Sequence, residues 1–484
     1  MKNKSANKQR IFAIIILSGM IALSCNCSKK SKSSGNPVTP PPVSTLAANW
    51  WMTRGDQSVL LEKQPAIPFT STTNSNSTIE VDSTISFQSI DGFGYSLTGG
   101  SAYVINKLPP ADKAALLQEL FGKNENSLRI SYLRISIGAS DLNSEVFSYD
   151  DMPSGQTDVS LTNFNLSKDT VDVIPLLKEI IAINPSIKIL GSPWSPPVWM
   201  KTNGSSAGGS LQTQYYAAYA QYFVKYVQAM KANGITVDAI TIQNEPENAN
   251  NNPSMLMNAN EQADFIKNNL GPAFQSASIK TKIILFDHNC DHPNYPLTIL
   301  NDAAAKPYID GSAFHLYVGD ISALSSVHNA YPDKKLYFTE QWTGANGSFS
   351  GDLQWHIKNV IIGSVRNWSS VALEWNLASD ASYNPHTPGG CTECKGALTI
   401  SSGVSRNVSY YIIGHASRFV PAGSVRIQSN NIAGIPNAAF LTPDGKKVMI
   451  AVNESTAAQS FNIKYKGQIA VASLQPGAVA TFVW

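Results

Sequence analysis

The stretch DAITIQNEPEN, Asp238 to Asn248, starts as an apolar strand and ends on a carboxylate set before a proline. Ala239, Ile240 and Ile242 suit a buried strand, whereas Gln243, Asn244 and Glu245 arrive together at its end. Seven other runs share that β-rich texture. They are DGFGYSL from Asp91, SYLRISIG from Ser131, IKILGSPWS from Ile187, KIILFDHN from Lys282, SAFHLYV from Ser312, KLYFTEQW from Lys335 and SVALEWNLA from Ser370. Helical patterns lie between them. PADKAALLQELFG opens on prolines and stops at Gly122, and QYYAAYAQYFVKYVQAMKANG repeats its apolar positions at helical spacing before Gly234. Parallel strands need crossover connections, so this alternation predicts an α/β fold, a (β/α)8 TIM barrel over residues 91–420.

Beyond the last helical run, VSYYIIGHASRFV, the texture changes to short strands broken by turns such as PDGK. That pattern predicts an appended antiparallel β-sandwich over residues 421–484. STIEVDSTISFQSI, before the barrel, alternates in the same way. Residues 49–90 are therefore expected to cross over and join the C-terminal sheet. No internal repeat is visible.

The N-terminus reads as an export segment. Lys2, Lys4, Lys8 and Arg10 precede the apolar run IFAIIILSGMIAL, too short for a membrane span and followed by LSCNCSKK. ALSC resembles a bacterial lipobox, which makes residues 1–24 a signal peptide and Cys25 the lipidated first residue, with Cys27 a nearby competitor. The Ser-, Lys- and Pro-rich residues 25–48 then form a tether. The expected location is the cell envelope, membrane-anchored and facing the periplasm or the cell surface; the sequence leaves the leaflet and the oligomeric state open. Three further cysteines remain. In an exported chain Cys391 and Cys394, in CTEC, suit a local disulfide, leaving Cys290 unpaired and buried.

Composition excludes some partners. With 484 residues, 43% hydrophobic and 14% charged, the chain is globular, and a formal net charge of +2 offers no electrostatic case for nucleic acid.

In a barrel of this kind the site lies at the C-terminal ends of the strands. Two of those ends carry glutamate: Glu245 on the fourth and Glu340, in LYFTE, on the seventh. A polar strand end accounts for either one alone. Together, ringed by Trp194, His315, Tyr317 and Trp375 at other strand ends, they suit glycoside hydrolysis. There one carboxyl protonates the leaving oxygen and the other attacks the anomeric carbon; a separation of about 5 Å gives retention and a wider one inversion. Asn244 is placed to bond a sugar hydroxyl, and Arg134 to serve as a charge partner at the barrel floor. Tyr317 near Glu340 holds that carboxylate ionised, whereas Glu245 needs a raised pKa to stay protonated.

QNEP and the glutamate of the seventh strand, with SPWSPPVWMKTNG, DGFGYSLTGGSA, HLY, TEQW and EWNLA, resemble glycoside hydrolase family 30. That family includes lysosomal glucosylceramidase and bacterial and fungal β-1,6-glucanases. The similarity runs from about Phe87 to Trp484. It implies Glu245 as acid/base and Glu340 as nucleophile, with Arg134, Trp194, Asn244, His315, Tyr317 and Trp375 lining the sugar subsite and no cofactor. In glucosylceramidases an aspartate follows the threonine of the GFG…T motif; here Gly99 stands there, which removes a charged contact and either opens space for a continuing chain or is compensated by a residue from elsewhere. The GGCTECKG segment also looks closer to the β-1,6-glucanase-like members. The expected function is therefore a retaining, endo-acting β-1,6-glucanase on an oligo- or polysaccharide. A glucosylceramidase-type exo-β-glucosidase is the alternative within the class, and a non-catalytic glycan-binding surface lipoprotein the alternative outside it.

Other motifs are weaker. GSSAG, Gly204 to Gly208, matches G-x-S-x-G but sits in a soft loop rather than a strand-to-helix elbow. DHNCDH, Asp287 to His292, offers five potential metal ligands, which on one loop suit a hydrogen-bonded rim better than a metal, so no metal is expected. Glu374 should face outward because Trp375 takes the inward face, and Glu247 should lie on the rim.

Overall fold

The structure, a computed structural model, describes residues 46–484. The signal-like segment, Cys25 and most of the tether lie outside the described residues. Eight parallel strands close the barrel: β1 Gly92–Ser96, β2 Tyr132–Ser136, β3 Lys188–Ser192, β4 Ala239–Thr241, β5 Lys282–Asn289, β6 Ile309–His315, β7 Lys335–Glu340 and β8 Ser369–Asn376. Each of the eight runs read from the sequence supplies one of them, in chain order.

The helices follow their local signals. Pro110–Phe121 starts on proline and ends at Gly122, where a Cβ would meet the Gln118 carbonyl at 2.4 Å. Tyr216–Ala232 buries ten of its residues, among them Tyr219, Tyr222 and Tyr226. Tyr149 stacks on Tyr226 with ring centroids 5.6 Å apart, pinning the long segment after β2 to this helix.

The sandwich is built from both ends of the chain. Its strands run in the spatial order Leu60–Pro68, Ala47–Thr53, Val479–Val483, Lys447–Val452, Asn437–Leu441, Val425–Ser429, Thr78–Ser89, Gln459–Tyr465 and Gln468–Leu474. Thr78–Ser89 turns the corner: it pairs antiparallel with Val425–Ser429 through two register shifts, and parallel with Gln459–Tyr465 near its start. The first strand, Ala47–Thr53, starts two residues inside the expected tether, 25–48. Ala47 and Ala48 pair with Pro68 and Ile67, and Ala48 is fully buried, so these small apolar residues belong to a strand. His415, in the last helix of the barrel (Val408–Ser417), ties barrel to sandwich. Its ring lies 2.8 Å from Thr53 Oγ1 and 2.9 Å from Thr481 Oγ1.

Candidate active site

The barrel interior is layered. Tyr132, Leu190, Ala239, Ala313, Tyr337 and Leu373 form an apolar cluster across it. Side chains alternate along a strand, so the residue two further on returns to the interior. That rule brings up Arg134, Ser192, Thr241, His315, Thr339 and Trp375, all buried. The upper layer is polar because it is the floor of a site.

β5 reaches this layer by a bulge. Phe286 and Asp287 take φ of 70° and 64°, and the pairing with β6 slips between Phe286 and His288. Phe286 packs against Tyr295 and Phe314, while Asp287 becomes the hub of the floor. Its Oδ2 accepts from Arg134 Nη2 at 2.8 Å, Ser192 Oγ at 2.7 Å and Thr241 Oγ1 at 2.8 Å. Its Oδ1 accepts from Thr339 Oγ1 at 2.7 Å and lies 3.1 Å from His315 Nε2. The expectation of a rim here is thus corrected for Asp287. It holds for His292, exposed and paired with the exposed Glu247 at 2.7 Å.

Arg134 is wholly buried and organises the acids. Nη1 donates to Glu340 Oε2 at 2.6 Å and Nη2 to Asn244 Oδ1 at 2.6 Å. Its guanidinium lies 4.8 Å from the Trp194 ring centroid and 5.7 Å from that of Trp375, and the two indoles pack at 5.3 Å. Tyr317 donates to the other oxygen of Glu340 at 2.9 Å. Glu245 sits in the left-handed region at φ 46°, pinned by its N–H to the Asp287 carbonyl at 3.0 Å and by Asn248 N–H to its own carbonyl at 2.9 Å. A non-glycine residue there stores backbone strain of about 1–3 kcal/mol, which the surrounding bonds hold in place. The side chain lies 3.2 Å from His315 Nδ1 and accepts from Asn248 Nδ2 at 2.7 Å. Carboxyl oxygens of Glu245 and Glu340 and a ring nitrogen of His315 all fall within 4.8 Å of one another.

Burial disfavours a charged His315, yet Glu340, Asp287 and Glu245 outweigh it and push its pKa up to about 9. Protonated, the ring donates from both nitrogens to the carboxylates around it. Burial also opposes ionisation of Glu245, but the His315 bond and charge, with His288 and Asn248, bring its pKa below the ordinary glutamate value. This corrects the expectation of a raised Glu245. Glu340 goes the other way: burial raises it, with Glu245 and Asp287 adding, against His315 and Arg134.

The cleft above holds about 410 Å³. Cys391 and Cys394 are joined in a disulfide that packs with Leu142, Trp194 and Trp375 into the wall; Cys290 is free and buried. Asp141, which the sequence reading passed over, also lines the cleft. Its Oδ2 accepts from the Cys391 N–H at 3.2 Å. Burial and the Glu340 charge raise its pKa to about 7. Asp141 Oδ1 and Trp194 Nε1 are buried with no hydrogen-bond partner among the described residues. Gly99, by contrast, opens no space: a Cβ there would meet Asn143 Nδ2 at 2.0 Å. Glu374 faces out of the barrel against His356 at 2.7 Å. In the GSSAG loop, Ser206 Oγ donates to Asn252 Oδ1 at 2.7 Å, with no catalytic partner.

Paired carboxylates at the ends of β4 and β7 of a (β/α)8 barrel, over an arginine and beneath two indoles, define a glycoside hydrolase. The chain belongs to glycosyl hydrolase family 30. The family's TIM-barrel domain matches residues 90–420 and its β-sandwich domain residues 423–482. An endo-1,6-β-D-glucanase of Neurospora crassa is 38% identical over 410 residues, covering 80% of this chain and 84% of that protein. The lysosomal acid glucosylceramidase of Mus musculus is 27% identical over 497 residues, 96% and 94% of the two chains. Among solved structures, the endo-β1,6-glucanase BT3312 superposes with a TM-score of 0.84 at 35% identity, covering 90% of this chain and 99% of that one.

Proposed function

We propose that this glycosidase is a retaining, endo-acting β-1,6-glucanase, with Glu340 as nucleophile and Glu245 as acid/base. The observation that carries the chemistry is the 4.8 Å limit on the two carboxylates. As an upper limit between one oxygen of each group, it favours the spacing of about 5–5.5 Å for double displacement over the wider one that holds an inverting enzyme's water. Glu340, held at both oxygens by Arg134 and Tyr317, attacks the anomeric carbon while Glu245 donates its proton to the departing glycosidic oxygen. The glycosyl ester on Glu340 is then opened by a water whose proton Glu245 takes up, so the product keeps the β configuration. Trp194 Nε1 and Asp141 Oδ1 supply an unused donor and acceptor for sugar hydroxyls, beside the indole faces.

The substrate reading rests on similarity. Identity to endo-1,6-β-D-glucanases reaches 38% and 37%, against 27% to the mouse glucosylceramidase. We place the protein in the cell envelope on the basic head, apolar run and ALSC sequence, with a lipid on Cys25. Proton NMR of digests tests the function: β-configured oligosaccharides should appear first from β-1,6-glucan, and Glu340→Gln should abolish turnover. Early α-products, or substantial activity in Glu340→Gln, would refute the mechanism. Release of glucose from glucosylceramide but no attack on the glucan would refute the substrate.

A further inference from the structure

A second hollow of about 420 Å³ adjoins the catalytic cleft. Tyr317 and Trp342 line both. Its outer wall comes from the helix after β7, Phe349–His356, which carries Asp352 in its first turn and Trp355 near its end. Trp355 is 41% exposed, the one tryptophan left so among the described residues. A large indole facing solvent beside an active cleft marks a surface that gains by being covered. Asp352 lies against Gly347, where a Cβ would meet its carboxylate at 2.3 Å. Among the described residues nothing donates a hydrogen bond to that carboxylate. Gln341, next to the nucleophile and lining the same hollow, has a buried side-chain carbonyl with no donor. The hollow thus combines a flat apolar face with idle acceptors, the pair of features a pyranose ring presents in complement: a C–H face and a rim of hydroxyl donors.

We propose that this hollow is a subsite for a second glucosyl unit of the substrate chain, with Trp355 stacked on the sugar face and Asp352 accepting from its hydroxyls. The inference rests on the β-1,6-glucanase reading above and deepens it. A 1,6-linkage carries an exocyclic methylene and so one more rotatable bond than a link between ring carbons. A chain with that freedom turns over the Trp342 rim into a hollow set to one side of the cleft. The subsite adds binding for longer chains and none for a single glucoside.

The test compares wild type with Trp355→Ala, Trp355→Phe and Asp352→Asn on a β-1,6-linked glucopentaose and on an aryl β-glucoside. Trp355→Ala should lower kcat/KM on the pentaose about tenfold, as loss of one aromatic anchor does. Activity on the aryl glucoside should stay within about twofold of wild type. Trp355→Phe should recover most of the loss, and Asp352→Asn should show a smaller, pentaose-only defect. Equal losses on both substrates, or none on the pentaose, would overturn the subsite. A wild-type enzyme that cleaves the aryl glucoside but no β-1,6-linked chain would instead sink the substrate reading, and the assigned occupant with it.

Discussion

Truncating Glu245 to alanine separates the two chemical steps. General acid–base help is worth about 10²–10⁴ in rate, or about 2.7–5.4 kcal/mol. On a glucan the departing group is a sugar alkoxide that needs the proton, so the whole loss should appear in the first step. On a nitrophenyl β-glucoside the leaving group departs unaided, so Glu340 is glycosylated at near wild-type rate. The second step still lacks its base, and the enzyme should stall after a burst of one nitrophenol per active site. The structure says what should rescue it. The removed carboxylate lay 3.2 Å from His315 Nδ1 and accepted from Asn248 Nδ2 at 2.7 Å, and Glu340 and Asp287 still favour a charged His315 in the variant. A small anion such as azide fits between the same two donors and needs no proton removed. Stopped-flow measurement of the burst, with NMR of the product, should give a β-glucosyl azide and restored turnover. Equal losses on glucan and nitrophenyl glucoside, or an α-azide, would show that Glu245 is not the acid/base.

Two further outcomes concern the frame. Asp287→Asn removes the charge opposite Arg134 and His315 in a dry interior, so urea unfolding should show a loss of about 3–5 kcal/mol; a variant as stable as wild type would dissolve the hub. For His415, Thr481 Oγ1 donates to the His415 carbonyl at 2.8 Å, so Nδ1–H is the donor to Thr481 and bare Nε2 accepts from Thr53. Burial, with Arg418, lowers this pKa to about 3. The folded value is depressed, so its contribution is whole above about pH 6.5 and drains away as pH falls toward 3. Melting temperatures between pH 7 and 4 should therefore fall less steeply in His415→Gln, and parallel curves would count against the assignment.

The polar floor was legible wherever the strand alternation runs unbroken. Arg134, His315 and Trp375 each stand two residues past an apolar interior position, Glu340 closes β7, and Glu245 follows β4 in the next turn. Asp287 was hidden because a bulge shifts β5 by one residue, so the simple period of two assigns the inward place to Phe286. Asp141 was hidden for another reason: it comes from the long segment after β2, and only the fold brings that segment under the 391–394 disulfide. Of the two readings Gly99 left open, compensation from elsewhere is the one found, because removing a side chain from a sequence does not by itself create a cavity. Asn143, arriving from the same β2 segment, fills the place and ties it to Ser140, whose N–H donates to Asn143 Oδ1 at 2.9 Å.

The reversed pKa directions of the two glutamates fit a catalytic cycle rather than oppose it. Arg134 and Asp287 balance one another, and His315 balances one of the two glutamates. One negative charge is left without a partner, and in a buried site such a charge draws a proton. Burial biases that proton toward Glu340. Cleavage requires it on Glu245, and the step itself then reverses the need. Once Glu340 is esterified its charge is gone, and His315 has only Glu245 and Asp287 to face. Glu245 is now stabilised as the anion, which is the base that the second step requires. With Glu245 as the proposed acid/base, its lowered pKa suits the deglycosylation step. Glycone binding against Trp194 and Trp375 must provide the opposite bias for the first step, by keeping Glu340 ionised against Arg134 and Tyr317 while water is displaced from around Glu245. Because Asp141 titrates near pH 7 and its charge acts on Glu340, Asp141→Asn should alter the pH dependence of kcat/KM, which reports the free enzyme, and leave that of the deglycosylation step nearly unmoved. A shift confined to deglycosylation would break this account of how the proton is shared.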